Sequence, residues 1–474
     1  MASTDRRALI VGAGPAGLTA AMEFQKLGVE TVIIEKGRVV GGISRTECHD
    51  GNHFDMGGHR FYTKVGEIES IWHSLLGDQF LARPRLSRIF YRKKYFKYPP
   101  QLLSTLRGFG IVESCLIIWS YVWWHIFPHH DVKTFDQWVT NAFGKRLFVH
   151  FFKSYTEKVW GLPCSELSAD WARQRIKELS IKTIIQSKIP GFRKRVTSLI
   201  ETFHYPARGP GMMWEAAGEN VVSQGGALRM DSECIRVCRT GMTVDSVVCK
   251  TDSGESVELA DYFISTMPIN ELIAKIEPPP PEEVLIAAAA LKHRDFLTVC
   301  IIVDHPSLFP DNWIYIHDPE VKVARIQNYK NWSPEMVANK DHTSLGLEYF
   351  CNKGDDVWCM EDRDLIELAS RELLHIGLVG NERVIEGFVH RVENAYPVYD
   401  TTYEENLRVV AEFCDQLVNF RTVGRNGLHR YNNQDHSMLT GLYAARMLAL
   451  GESHDIWKIN AEQEYLERSE VPSA

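Results

Sequence analysis

The chain has no surplus of basic charge: its 474 residues carry 53 lysines and arginines against 61 aspartates and glutamates, a formal net charge of −8. Nucleic acid is therefore not an expected partner, because the excess that neutralises phosphates is missing, and any anionic ligand has to be met by arginines gathered locally. The ten cysteines are scattered without a C-x-x-C pair. That spacing excludes a disulfide-stapled mini-protein and argues against zinc or thioredoxin-like chemistry, so reduced thiols and no metal site are expected. Long apolar runs are also lacking. The greasiest segment, Cys115–Phe127 (CLIIWSYVWWHIF), is bounded by Glu113 and Pro128, interrupted by His125 and shorter than the ~20 residues of a bilayer crossing. It reads as a buried core helix, with contact to a membrane or a partner as the alternative. Met1–Arg7 is polar and the apolar run after it is broken by glycines and Pro15, unlike an export signal, so a cytoplasmic protein is expected. No internal repeat is visible.

What is present begins with a strand, turn, helix and strand. Ala8–Val11 is apolar, Gly12-Ala13-Gly14-Pro15-Ala16-Gly17 follows, Leu18–Leu27 has helical character, and Val29–Ile34 ends at Glu35 and Lys36. In the dinucleotide fingerprint Gly12 makes the tight turn, Gly14 admits a pyrophosphate at the helix N-terminus and Gly17 permits close helix packing. Glu35 lies near the ~20-residue spacing at which a carboxylate meets the adenosine ribose. Gly41-Gly42 and then Asp55-Met56-Gly57-Gly58-His59 place more glycine backbone where a nicotinamide-binding unit would start another helix. This narrows the cofactor to FAD, whose wide isoalloxazine ring needs close backbone approach, with His59 and Arg60 beside it.

Further along, 65–198 reads as helical and aromatic-rich, with basic runs at Arg92–Lys97 and Arg193–Arg195 taken as solvated faces. Short alternating stretches at Cys234–Val237, Ser246–Lys250 and Val257–Leu259 suggest a β-meander, closed by the strand Tyr262–Thr266. After the Pro278–Pro281 boundary, Leu297–Val303, Trp313–Ile316, Val323–Gln327 and Leu345–Phe350 read as strands, and Asp364–Leu374 and Thr402–Leu417 as helices. The expected fold class is α/β. A discontinuous Rossmann-type FAD-binding unit (1–65, 200–275, 400–455) carries a helical insertion (66–199) and a mixed or antiparallel strand-rich substrate unit (276–399), with a tail at 456–474.

The densest chemistry runs from Gly424-Arg425 to Asn433-Gln434-Asp435-His436-Ser437, ahead of the helix-like Leu439–Leu450. A helix N-terminus there suits a flavin ring or ribityl group and favours negative charge on a reduced ring. Together with Gly57-Gly58-His59, Phe135-Asp136-Gln137-Trp138, Lys158-Val159-Trp160, Tyr205-Pro206-Ala207-Arg208-Gly209, Ser265-Thr266-Met267 and Ala395-Tyr396-Pro397, these motifs carry a resemblance. The chain resembles the flavin-dependent UDP-galactopyranose mutases, especially their eukaryotic branch, within the superfamily of protoporphyrinogen oxidases, phytoene desaturases and amine oxidases.

The resemblance implies that Arg175 and Arg325 embrace a substrate diphosphate. Tyr315, Tyr396 and Tyr431 would bond to it, Trp313 would border the sugar, Arg425 would sit near the flavin, and Tyr98, Gln101 and Trp160 are further substrate-binding candidates. The implied reaction interconverts pyranose and furanose forms of a nucleotide sugar through attack of reduced-flavin N5 on the anomeric carbon. His59, Arg175, Arg325 and Arg425 are its catalytic candidates. Where the mutases carry an aromatic residue after Tyr-Pro to stack on uracil, this chain has Tyr98-Pro99-Pro100-Gln101. With one dinucleotide fingerprint, NAD(P)H as an external reductant would have to enter the substrate cleft. The competing reading is an FAD oxidoreductase of the amine-oxidase or desaturase type, with Trp119–Trp124 lining an apolar tunnel.

Overall fold

The computed structural model describes residues 6–98, 108–176, 198–199, 201–460 and 468–469. Gln101 and the Arg193–Arg195 run lie outside them, and Arg175 is described only as part of the helix Ala169–Ile176.

A five-stranded parallel sheet forms the centre of the dinucleotide unit. Its order is Ala227–Arg229, Glu30–Ile34, Arg7–Val11, Tyr262–Ser265 and Phe420–Thr422, so segments far apart in sequence meet in one sheet. Both faces of the central strands are buried, which is why they read as continuous apolar runs rather than alternating ones. The helix Pro15–Lys26 packs against Gly211–Ser223 and the C-terminal helix Gln434–Leu450. The meander is present as Glu233–Thr240, Thr243–Thr251 and Gly254–Leu259, joined by the short strand Ile276–Glu277.

The second large sheet has the order Val384–Pro397, His293–Val303, Thr343–Cys351, Arg325–Asn328, Trp313–Ile316, Ser87–Tyr91 and Lys94–Lys97. It is antiparallel except where Trp313–Ile316 runs parallel to Ser87–Tyr91. Its last two strands correct the expectation of an all-helical 65–198. Tyr91 pairs with Lys94 across a two-residue turn in which Arg92 and Lys93 both take positive φ, 49° and 58°. That conformation is the I′ type usually signalled by Asn-Gly, and Arg-Lys gives no such signal. The strand Val384–Pro397 also escaped the sequence reading. Charged residues and Gly387 blur its alternation, and pairing with His293–Val303 overrides weak local preference.

The apolar segment at 115–127 corrects the expectation of a core helix. The helix Ile111–Ile126 buries only Ile117 among its side chains, while Trp119 and Trp123 are 65% and 48% exposed.

Candidate functional site

A cleft of about 1140 Å³ runs from the carboxyl ends of the parallel strands to the face of the seven-stranded sheet. At the dinucleotide end, Val11 and Ser265 are neighbouring strand ends at which the chain order changes direction, the position where open α/β sheets bind ligands. Gly12 takes φ +101°, and a Cβ there would fall 2.0 Å from Thr266 Oγ1, whose hydroxyl donates to the Val11 carbonyl at 3.0 Å. The helix beginning at Pro15 has Gly14 as its N-cap and no side-chain cap, and a Cβ added at Gly14 would meet nothing within 4 Å. Its first N–H groups are therefore open to an anion. Glu35 accepts from the Ala13 and Gly37 amides, each at 2.8 Å, leaving every carboxylate oxygen a second lone pair for a ribose hydroxyl.

The C-terminal helix supplies the other side. Asn433 caps it reciprocally with His436, and Gln434, Ser437 and Gly424 line the cleft. Both polar atoms of the Gln434 side chain are buried without a partner. A buried amide in that condition costs free energy unless something polar comes to it. Asp435 is buried in the same first turn, outside the cleft lining. The capless glycine cradle, the Glu35 carboxylate and the orphaned Gln434 amide fit FAD lying between the two helix N-termini.

At the junction with the second sheet, a Cβ placed on Gly57 would lie 3.6 Å from His59 Nε2 and 3.7 Å from Arg325 Nη2. The Gly57-Gly58 turn thus brings the two candidates together. His59 Nε2 is 2.8 Å from the Met56 carbonyl, which only accepts, so Nε2 carries the proton. Burial lowers the His59 pKa from 6.5 to about 4; the Met56 bond opposes this, and Arg425 and Arg325 add to it. The ring is neutral at pH 7. Asp55, just before the turn, is raised to about 7 by burial, against hydrogen bonds donated by Tyr205 and by Thr46.

Strand register builds the substrate end. Tyr315, Arg325 and Glu348 are cross-strand partners in one row, with Trp313 and Gln327 in the next row on the same face. Glu348, with no exposed side-chain surface, accepts Arg325 Nε with both oxygens at 2.9 Å and Gln327 Nε2 at 2.8 Å. Opposite stands the helix Ser154–Trp160. Its Lys158 Nζ donates to the carbonyls of Ile316, Asp318 and Val323, which clips the helix to the sheet and aims Tyr155 and Trp160 at the cleft. Tyr155 lies edge-on to Tyr315 at 5.6 Å, and Tyr98 lies 4.7 Å from Tyr315. Tyr396 and Tyr431 stack at 5.5 Å, and Arg425 covers both rings, 5.2 and 4.4 Å from their centroids. Carbonyls of Asn432 and Ala395 fix the Arg425 guanidinium at 3.0 and 3.1 Å.

The cleft thus gathers Tyr98, Trp160, Trp313, Tyr315, Arg325, Tyr396, Arg425 and Tyr431. Sequence reasoning missed Tyr155, Gln327 and Glu348. Gln327 sits two residues from Arg325 on one strand face, and Glu348 is a lone carboxylate in the apolar stretch Leu345–Phe350; either was a usable signal.

Residues 10–75 match the family described as NAD(P)-binding Rossmann-like domain. A curated relative, bacilliredoxin reductase Bdr of Bacillus subtilis (strain 168), is 42% identical over 45 residues, which span 10% of this chain and only 14% of that protein. Over nearly the whole chain the structure is similar to a crystal structure of reduced UDP-galactopyranose mutase, with a TM-score of 0.84 at 22% identity, covering 98% of this chain and 100% of that one. The chain shares the mutase fold. It is also similar to a protein from Exiguobacterium sp. 255-15 inferred to be a protoporphyrinogen oxidase (TM-score 0.72, 15% identity, covering 95% and 100% of the two chains). Putrescine oxidase bound to putrescine is a further match (TM-score 0.62, 16% identity, covering 93% and 98%).

The buried histidines make a pH prediction. Burial first, then neighbouring cations or histidines, holds His59 and His429 at about 4 and His293 and His317 at about 3, all below 6.5. Between these values the unfolded chain binds more protons, so stability falls as pH drops from 6.5 toward 4, by up to about 1.4 kcal/mol per pH unit for each net proton. Asp55 acts with the opposite sign between 3.8 and about 7, but it is one group against four. Thermal midpoints measured from pH 4.5 to 8 should decline below pH 6.5, and a flat profile would contradict the neutral assignments.

Proposed function

We propose that this chain is an FAD-dependent enzyme that interconverts pyranose and furanose forms of a nucleotide-linked sugar. When bound and reduced, FAD supplies a nucleophilic N5 toward the anomeric carbon, with no net redox change over a cycle. The observation that carries the reading is the polar character of the substrate end, where five phenols (Tyr98, Tyr155, Tyr315, Tyr396 and Tyr431) and the arginines Arg325 and Arg425 face one cleft.

Burial raises the pKa of Tyr155 and Tyr396 above the usual phenol range, so these hydroxyls remain protonated donors for phosphate oxygens. Arg325 shares its charge with Glu348, whereas among the described residues Arg425 makes no ion pair. Arg425 therefore carries the unshared cation that a diphosphate leaving group needs, and Arg325 orients donors beside it. His59 is neutral, so charge on a reduced ring is met by Arg425 and by the N-terminus of Gln434–Leu450. NAD(P)H, as external reductant, would reach the flavin through this same cleft.

The competing oxidoreductase reading drew on a Trp119–Trp124 tunnel wall. No described residue of Ile111–Ile126 lines the cleft. An apolar amine or ring substrate also has no diphosphate to meet Arg325 and Arg425. Titration of the reduced holoenzyme with UDP, read by thermal unfolding, tests the diphosphate site. UDP at one hundred times its dissociation constant should add about 2.7 kcal/mol, and uridine without the diphosphate should add far less. Arg425→Ala should weaken UDP binding by roughly tenfold to a hundredfold. If UDP and uridine behave alike, the cleft is not a diphosphate site.

A further inference from the structure

The helix Ile111–Ile126 is built inside out. Its acid, Glu113, is turned toward the protein, where both Arg146 and His150 bond to it, the latter at 2.7 Å. Ser120 Oγ likewise faces inward and accepts the Arg146 amide at 3.1 Å. Ile111, Val112, Ile118, Trp119, Trp123 and Ile126 are exposed instead, from 48% for Trp123 to 85% for Ile111. At 100° per residue the exposed apolar positions, Leu116 and Val122 included, sweep about 160° of the circumference, with buried Ile117 opposite their centre. No charged side chain lies on that outer face: Glu113 is the one acidic or basic Lys, Arg, Asp or Glu residue between 111 and 126.

Basic residues frame the face. Lys94 Nζ donates to the Gly108 carbonyl at 2.7 Å, which sets the Arg92-Lys93 hairpin tip beside the start of the helix. Arg92, Lys93 and Lys94 are all exposed there. Lys145, also exposed, adjoins the middle of the helix, where Gly144 packs against Tyr121. This local positive rim belongs to a chain whose overall charge is −8.

We propose that this face docks the protein on an anionic lipid bilayer, with the helix lying in the plane of the interface. Tryptophans and aliphatic side chains enter the headgroup–acyl boundary, and the basic rim meets anionic headgroups. The helix is about 24 Å long and no helix among the described residues is long and apolar enough to cross a membrane, so it lies on the bilayer rather than spanning it. A protein groove takes an i, i+3, i+4, i+7 stripe of anchors, about 100° wide and narrower than this face. Pairing with a second copy about a two-fold axis through the helix centre would bring each Lys145 toward its own mate, whereas phosphates on a membrane neutralise it.

The test is flotation of the full-length holoenzyme with vesicles of phosphatidylcholine alone or mixed with phosphatidylglycerol. The protein should float with the mixed vesicles, less so as salt rises. Trp119→Ser/Trp123→Ser should lower partitioning about tenfold or more, with an unchanged thermal midpoint because both indoles are exposed. Lys93→Glu/Lys94→Glu, which leaves the apolar face intact, should selectively weaken binding to the anionic vesicles. Failure of the wild-type protein to float with either vesicle overturns the proposal. So does a dimer in sedimentation equilibrium that the tryptophan double variant dissociates, because the face would then belong to a second copy.

Discussion

Gly17→Val is expected to yield a protein that purifies without flavin. A Cβ at this position would fall 2.0 Å from the Gly12 carbonyl oxygen and 3.2 Å from Gly12 C and Ile10 Cγ2. The obstruction is backbone, and that backbone is pinned: the Gly12 amide donates to Ile34 at 2.7 Å and the Gly41 amide to Ala13 at 2.9 Å. Relief requires moving the helix Pro15–Lys26 off the sheet, at a cost above ~3 kcal/mol, and the helix N-terminus moves with it. Loss of the visible flavin spectrum, together with a lower unfolding midpoint, is the predicted result. Gly14→Ala is the informative control, because its Cβ would meet no protein atom. That variant should fold normally and bind flavin weakly, which separates packing from access to the pyrophosphate.

Glu348→Ala should cost about 3–5 kcal/mol of stability, the usual price of stranding a buried cation. Arg325 would lose its counter-charge in a site where burial alone already disfavours its cationic form, and Gln327 Nε2 would lose its acceptor. Denaturant unfolding measures the loss. Arg325→Met/Glu348→Leu should recover most of it, since apolar replacements of buried ion pairs are often neutral or stabilising. Failure of the double variant to recover stability would show that Glu348 supports more than Arg325.

The dinucleotide end was legible because its chemistry is written in local spacing: Gly12, Gly14, Gly17 and Glu35 fall within one strand-turn-helix-strand unit. The substrate end was legible only in part. Arg325 and Tyr315 were found through family-like motifs, but their pairing with Glu348 depends on cross-strand register between distant segments, which periodicity does not report. The Arg92-Lys93 turn was hidden because its residues lack the usual preference for positive φ. The helix at 111–126 was misread for the opposite reason. Its apolarity suggests burial, yet hydrophobic sequence has no way to distinguish a protein core from another apolar surface.

The most direct measurement follows the sugar ring. Reduced holoenzyme is incubated anaerobically with UDP-galactose, and the ring form is read by NMR while flavin absorbance is recorded. The account predicts appearance of the furanose form over many turnovers without net oxidation of the flavin. Unchanged pyranose, under conditions where UDP demonstrably binds and the flavin stays reduced, would contradict it.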